Sequence, residues 1–240
     1  MSIENQISSQ FLDMPLSPAT MMHYTVRSSI LESVKTATAQ FRGVVLDVGC
    51  GLQPYRKIIE NNPRVEKYIG MDIKDSALYG HVAVDLNWNG KSIPLEGQSV
   101  DCVMATEFLE HYSEPETILI EIGRVLKPGG KFFGTVPFIW NLHEIPSDEY
   151  RYTPYSLERH LRNAGFCEIE IKALGGWNMS FAQMIGLWTT FSKMSKLRRA
   201  VLKRLLFPFY FWLIKTDRRP EKFDGWENSM YNGLSITALK

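Results

Sequence analysis

Cysteine is scarce in this chain. Its 240 residues hold three, Cys50, Cys102 and Cys167, far apart and with no Cys-x-x-Cys pair. No disulfide framework or zinc site is expected from that spacing, and no metal-binding set is read elsewhere; the thiols are expected to act as small buried residues. An excess of either charge is lacking too: 27 basic against 26 acidic residues leave +1. Charge therefore implies neither a nucleic-acid partner nor an acidic one. Long apolar runs are missing as well. The uncharged run Leu205 to Ile214 has ten residues, whereas a membrane-spanning helix needs about 20. The first twenty residues contain Glu4 and Asp13, no basic residue and no long apolar core, so no signal peptide is expected and a cytoplasmic location follows. What is present is a hydrophobic fraction of 45% on a length that buries one sizeable core. One domain with an insertion is the expectation.

The chain is organised around Val44 to Gly51, a branched apolar run, an acid and two glycines one residue apart. This pattern suits a buried parallel strand feeding a tight turn that approaches a ligand closely. A dinucleotide turn requires a small residue at the sixth position of Gly-x-Gly-x-x-Gly. Here Pro54 stands there, and Asp47 would oppose a pyrophosphate. A dehydrogenase is disfavoured on both counts, and the acid suits a cationic ligand. Asp72, at the end of the next apolar run, lies about twenty residues beyond the glycines, where a βαβ unit presents a carboxylate to ribose hydroxyls.

Leu46-Asp47-Val48-Gly49-Cys50-Gly51 resembles motif I of the class I S-adenosylmethionine-dependent methyltransferases. Two further phrases resemble the same family in the right order: Ser99 to Thr106 followed by Glu107-Phe108-Leu109-Glu110-His111, and Arg124-Val125-Leu126-Lys127-Pro128-Gly129-Gly130. The resemblance covers roughly residues 40 to 174. It departs at Gln53, where a third glycine is frequent, and at Val100, where an aromatic residue is usual. It implies a doubly wound three-layer α/β/α sandwich with a seven-stranded, mostly parallel sheet in the order 3-2-1-4-5-7-6, strand 7 antiparallel. S-adenosylmethionine is the implied cofactor. Asp85 with Leu86 would meet the adenine, and Thr106 and Glu107 would line the methionine half; His111 is expected to shape the site rather than react.

Taken in order, residues 1–16 read as a loose arm. Ser17-Pro18 starts a helix with Met22, Val26, Ile30 and Val34 on one face, ending before Gly43. His23 and Tyr24 are expected to pack rather than bind. The remaining expectations are a helix over 54–62, strands over 67–72, 81–86 and 99–106, a helix over 115–126 and a strand over 131–137. Thr153-Pro154 caps another helix, closed by Gly165, and a sixth strand covers 166–174. The seventh strand falls at 233–239. This divides one domain into an arm and helix (1–42), a cofactor core (43–174), an inserted cap (175–232) and the final strand (233–240).

The loop 138–152 leaves strand 5 at the edge where ligands bind in open α/β sheets. His143 is the candidate general base, oriented by Asp148 or Glu144, and Trp140, Tyr150 and Arg151 are candidate acceptor contacts. In the cap, Lys193, Lys196, Arg198, Arg199, Lys203 and Arg204 carry no acid among them and precede the uncharged run. A plain cap is one reading, and a cap touching a membrane surface through 193–215 is the other. Methyl transfer to a small-molecule, glycan or lipid-linked acceptor is the functional expectation. The rival is a non-catalytic binding protein of the same fold at a membrane surface or in a complex. The acceptor atom and the oligomeric state are not readable from the chain.

Overall fold

The run Gly43–Val48 forms β1, whose last four residues are buried. Its branched side chains fill both faces of a parallel sheet, with Leu46 paired between Ile69 of β2 (Val65–Ile73) and Val103 of β4 (Val100–Thr106). These strands belong to a seven-stranded sheet of order β3-β2-β1-β4-β5-β7-β6, completed by β3 (Leu86–Trp88), β5 (Leu126–Pro137), β6 (Cys167–Leu174) and β7 (Gly233–Leu239). Phe138 N–H donates to the Asn232 carbonyl, and Lys240 N–H donates to the Gly130 carbonyl. One end of β5 thus meets the opposite end of β7, which makes β7 antiparallel as expected. A computed structural model describes residues 3–73 and 83–240.

Helices α3 (Arg56–Glu60), α4 (Pro115–Val125) and α5 (Pro154–Asn163) connect these strands. The apolar face read for α4 is fully buried at Ile118, Ile122 and Val125. At α5 the Thr153 hydroxyl accepts from Ser156 N–H while the Ser156 hydroxyl accepts from Thr153 N–H. This reciprocal cap satisfies two donors of the first turn and sets the helix start where Thr-Pro indicated.

Several boundaries differ from expectation. The N-terminal arm is partly helical, with α1 at Ile3–Ile7 continuing as a wider turn through Leu12. The long helix α2 spans Tyr24–Thr38 rather than starting at Ser17, because the Thr20 hydroxyl bonds Ser17 and Pro15 and holds 17–23 in non-helical turns. Strand β5 begins at Leu126, five residues before the expected start, since Gly129 and Gly130 bond Lys240 at the end of β7. Of the strand expected over 81–86, His81 and Val82 lie outside the described residues. Among the described residues of that stretch pairing begins at Leu86, and Gly70 N–H of β2 is taken by the Asp85 side chain instead of a strand carbonyl.

The chain forms two compact units. One comprises Ser33–Val136, His143–Ile171 and Ser235–Lys240; the other comprises Met1–Glu32, Pro137–Leu142 and Lys172–Leu234. The second of these contains α6 (Trp177–Phe191) and α7 (Lys196–Lys215), a helix that continues through Pro208. Met21, Ala182, Ile185, Tyr210 and Leu213 form its core. A Cβ on Gly186 would lie 2.4 Å from the Met21 carbonyl oxygen, so only glycine permits this approach. Asp217 accepts from Gly176 and Met179 N–H groups and caps α6 from a distance in sequence that no local pattern reveals.

Candidate active site

The end of β1 turns sharply at Gly49, whose φ is +68° and whose added Cβ would lie 2.5 Å from the Phe108 ring. Gly49 and Cys50 N–H groups both donate to the Met71 carbonyl, and Gly51 N–H donates to Asp72 Oδ2 at 2.7 Å. The turn is therefore pinned to the end of β2. Asp47, 2% exposed, accepts from the Tyr68 hydroxyl at 2.6 Å through Oδ2, while its Oδ1 has no partner among the described residues. Burial first, and the Asp72 charge in addition, push its carboxyl up to about 7 against the pull of the Tyr68 hydrogen bond. A buried acceptor in that state favours a cationic donor.

Asp85 is exposed beside this turn, and its Oδ2 accepts from Gly70 N–H and from Arg56. Leu86 opens β3 next to it. Thr106 ends β4, and Glu107 follows at φ +50°, its N–H donated to the Thr135 carbonyl and its Oε1 accepting from the Thr135 hydroxyl. Asp47, Gly49, Gly51, Asp72, Asp85, Leu86, Thr106 and Glu107 thus all fall at or just beyond the ends of β1 to β4, or at the entry to β3.

Around the turn 107–111, the loop that follows β5 is fastened by several hydrogen bonds. Glu149 and Tyr150 N–H groups donate to the Glu110 carbonyl, the Tyr152 hydroxyl to the Leu109 carbonyl, and the Tyr150 hydroxyl to the Ser113 carbonyl. His143 Nδ1 stands 3.1 Å from Asp148 Oδ2, and both Arg151 Nη atoms donate to the same carboxylate at 2.7 and 2.8 Å. Burial opposes the Asp148 charge, but the Arg151 fork and the His143 backbone N–H outweigh it and bring its pKa down to about 2. His143 is half-buried, and burial lowers its pKa despite Asp148. An ionised Asp148 only accepts, so His143 carries its proton on Nδ1 and a lone pair on Nε2. His111 packs edge-on against this ring, 4.7 Å between centroids.

Two of the candidate acceptor contacts also hold the loop together. The Arg151 fork grips Asp148 and so steadies the acid that holds His143. The Tyr150 hydroxyl is committed to Ser113. Of the two acids expected to orient His143, Asp148 is the one beside its Nδ1, whereas Glu144 lies 3.8 Å from His111 Nε2. Trp140 belongs to the other compact unit, where its ring lies 5.7 Å from that of His23. Glu110, to which the sequence assigned no role, is 0% exposed, and neither carboxylate oxygen is hydrogen-bonded among the described residues. Its signal in the chain was a second acid three residues after Glu107, beside His111.

A family model described as a methyltransferase domain matches residues 46–134. No curated protein matches the chain. Among solved structures, a SAM-dependent methyltransferase from Archaeoglobus fulgidus is 16% identical, with a TM-score of 0.55 over 90% of this chain and 94% of its own. One from Thermotoga maritima, described as a possible histamine N-methyltransferase, is 14% identical, with a TM-score of 0.55 over 98% and 95%. Phosphoethanolamine N-methyltransferase 2 of Haemonchus contortus, in complex with S-adenosyl-L-methionine, is 14% identical, with a TM-score of 0.52 over 100% of this chain and 60% of its own. At these identities the structural likeness is one of fold.

Proposed function

We propose that this chain is a class I S-adenosylmethionine-dependent methyltransferase and that it methylates a small-molecule, glycan or lipid-linked acceptor. The observation that carries the reading is the buried Asp47 oxygen without a partner beside the glycine turn. The cofactor's ammonium or sulfonium compensates such a carboxylate, whereas a pyrophosphate would repel it. In this reading Gly49 and Gly51 admit the ligand, Asp72 accepts its ribose hydroxyls, Asp85 and Leu86 border its adenine, and Thr106 and Glu107 border its methionine half. When bound, the cofactor supplies a methyl carbon already activated by its sulfonium. The protein's share is alignment and exclusion of water. The acceptor must lose its proton, and His143 supplies the lone pair that relieves it.

Calorimetry with S-adenosylmethionine, and transfer of label from the cofactor to a component of cell extract, test this reading. The Asp72→Ala variant is expected to bind the cofactor more weakly by roughly 1.5 to 3 kcal/mol, the scale of a hydrogen bond to a charged group. Binding of a nicotinamide dinucleotide with none of S-adenosylmethionine would sink it.

A lipid-linked acceptor is favoured by the unit containing α6 and α7. Trp177, Phe181, Met184, Trp188 and Phe191 recur at helical spacing on α6, each at least 47% exposed, and Leu205, Phe209 and Trp212 continue an apolar surface on α7. Lys193, Lys196, Arg198 and Arg204 are exposed along the same segment, and no acid occurs between Ile171 and Thr216. Aromatic side chains flanked by cations suit an anionic lipid interface. Among the described residues no helix is long and apolar enough to cross a membrane. The chain is expected to co-sediment with vesicles containing anionic lipid and to release as salt rises, each cation contributing about 1 kcal/mol. Neutral replacement of Lys196, Arg198 and Arg204 should abolish binding; Lys203 is omitted because it is partly buried. A chain that dimerises and ignores vesicles at low salt would assign this face to a second copy.

A further inference from the structure

Glu110 is an anomaly in the unit that contains it. A fully buried carboxyl whose two oxygens accept no hydrogen bond among the described residues must stay protonated or face a cation, because an isolated buried charge costs several kcal/mol. Glu110 Oε1 lies 3.8 Å from His111 Nε2. One donor atom from each of Glu110, His111 and His143 lies within 4.8 Å of the others. Donors that share an ion at about 2.1 Å lie roughly 3 to 4 Å apart, so small side-chain shifts close the set.

Both imidazoles are held in the tautomer that such a set needs. His111 Nδ1 is 3.1 Å from the Ser147 carbonyl oxygen, which only accepts, so the proton sits on Nδ1 and the lone pair on Nε2. His143 reaches the same state through Asp148, itself gripped by Arg151. A histidine that gives its second N–H to a carbonyl or carboxylate is the usual support for a metal ligand. The bonds from Glu149 and Tyr150 N–H to the Glu110 carbonyl tie the loop bearing His143 to the turn bearing the other two.

We propose that Glu110, His111 and His143 bind a divalent first-row cation such as zinc or manganese, with the Glu144 carboxylate beside it. Two imidazoles and one carboxylate with an open position are a recognised set for these ions. The inference rests on assigning the acceptor's proton to this cluster and changes how the proton leaves. An acceptor hydroxyl bound at the open position keeps the O–H electron pair on oxygen and releases the proton to water, because the cation lowers its pKa. His143 then acts as a ligand and is not the proton's destination. The set had no sequence signature, since His143 stands 32 residues beyond His111.

The test uses the full chain after chelator treatment. Titration with Mn²⁺, followed by loss of the free-ion electron paramagnetic resonance signal, is expected to give one ion per chain. Glu110→Gln and His111→Ala should each weaken Mn²⁺ binding about tenfold or more, and exposed Glu149→Gln should leave it unchanged. Mn²⁺ should also raise the melting temperature of the wild type and not of Glu110→Gln. If Glu110→Gln fails to fold, as judged by circular dichroism, His111→Ala decides the question. Absence of Mn²⁺ binding, or binding unchanged in the variants, overturns the proposal. A parallel titration with S-adenosylmethionine separates the two readings. Cofactor binding without Mn²⁺ binding removes the cation site and leaves methyl transfer standing; Mn²⁺ binding without cofactor binding does the reverse.

Discussion

Replacing His143 with alanine is expected to lower kcat by about 10²- to 10⁴-fold at saturating acceptor, roughly 3 to 5 kcal/mol of barrier. The loss follows from removal of the Nε2 lone pair, whether it takes the acceptor's proton itself or acts through a cation. S-adenosylmethionine affinity should stay near wild type, because the ring makes no contact with the glycine turn among its described hydrogen bonds. Folding should survive as well. Asp148 keeps both bonds from Arg151, and the loop keeps its backbone bonds to Glu110. Steady-state kinetics with the labelled acceptor, beside cofactor calorimetry on the same preparation, give the result. A fall of less than tenfold would demote His143 to a packing residue and leave proximity and alignment as the source of rate.

Asp47→Asn is expected to make the cofactor-free chain more stable at pH 8 by roughly 4 kcal/mol relative to its effect at pH 4. The Asp47 carboxyl moves from its ordinary 3.8 to about 7 on folding, chiefly by burial, and that interval is worth roughly 4 kcal/mol at 1.36 kcal/mol per pH unit. A folded-state pKa above the unfolded one means that the folded chain holds the extra proton between these values. The stabilisation is complete below about pH 3.8 and is lost as pH rises through about 7. Asparagine does not titrate, so the difference between variant and wild type isolates this group. His23, lowered to about 4 mainly by burial, titrates in the same window with opposite sign but is present in both chains. Urea unfolding at pH 4.5, 6 and 8 should give curves for the two chains that diverge with pH. Saturating S-adenosylmethionine should then favour the wild type at pH 8, where the ionised carboxylate attracts the ligand's cation. Parallel pH curves would show that Asp47 is ionised at little cost in the free protein, and the electrostatic case for the cofactor would weaken with it.

Short-range chemistry was legible in the chain. Glycines at the end of β1, the Thr-Pro cap of α5, the apolar face of α4 and the strand Gly233–Leu239 all depend on interactions spanning a few residues, or on a period-2 or period-3.6 pattern. The strand order followed from the family resemblance, and the side chains at the ends of β1, β2 and β4 from the βαβ geometry and that resemblance. Partners distant in sequence were not legible. The early start of β5 needs Lys240, and the N-terminus of α6 needs Asp217. Arg151 carried a charge that fits an anionic acceptor equally well, and only the fold filled its fork with Asp148. Glu110 lay within a familiar phrase, and its meaning came from burial and from a histidine that the topology returns to its side. Local rules act on the unfolded chain and can be read from its order. The desolvation of a carboxylate and the choice of an ion-pair partner exist only after the sheet has closed, when distance in space no longer follows distance in sequence.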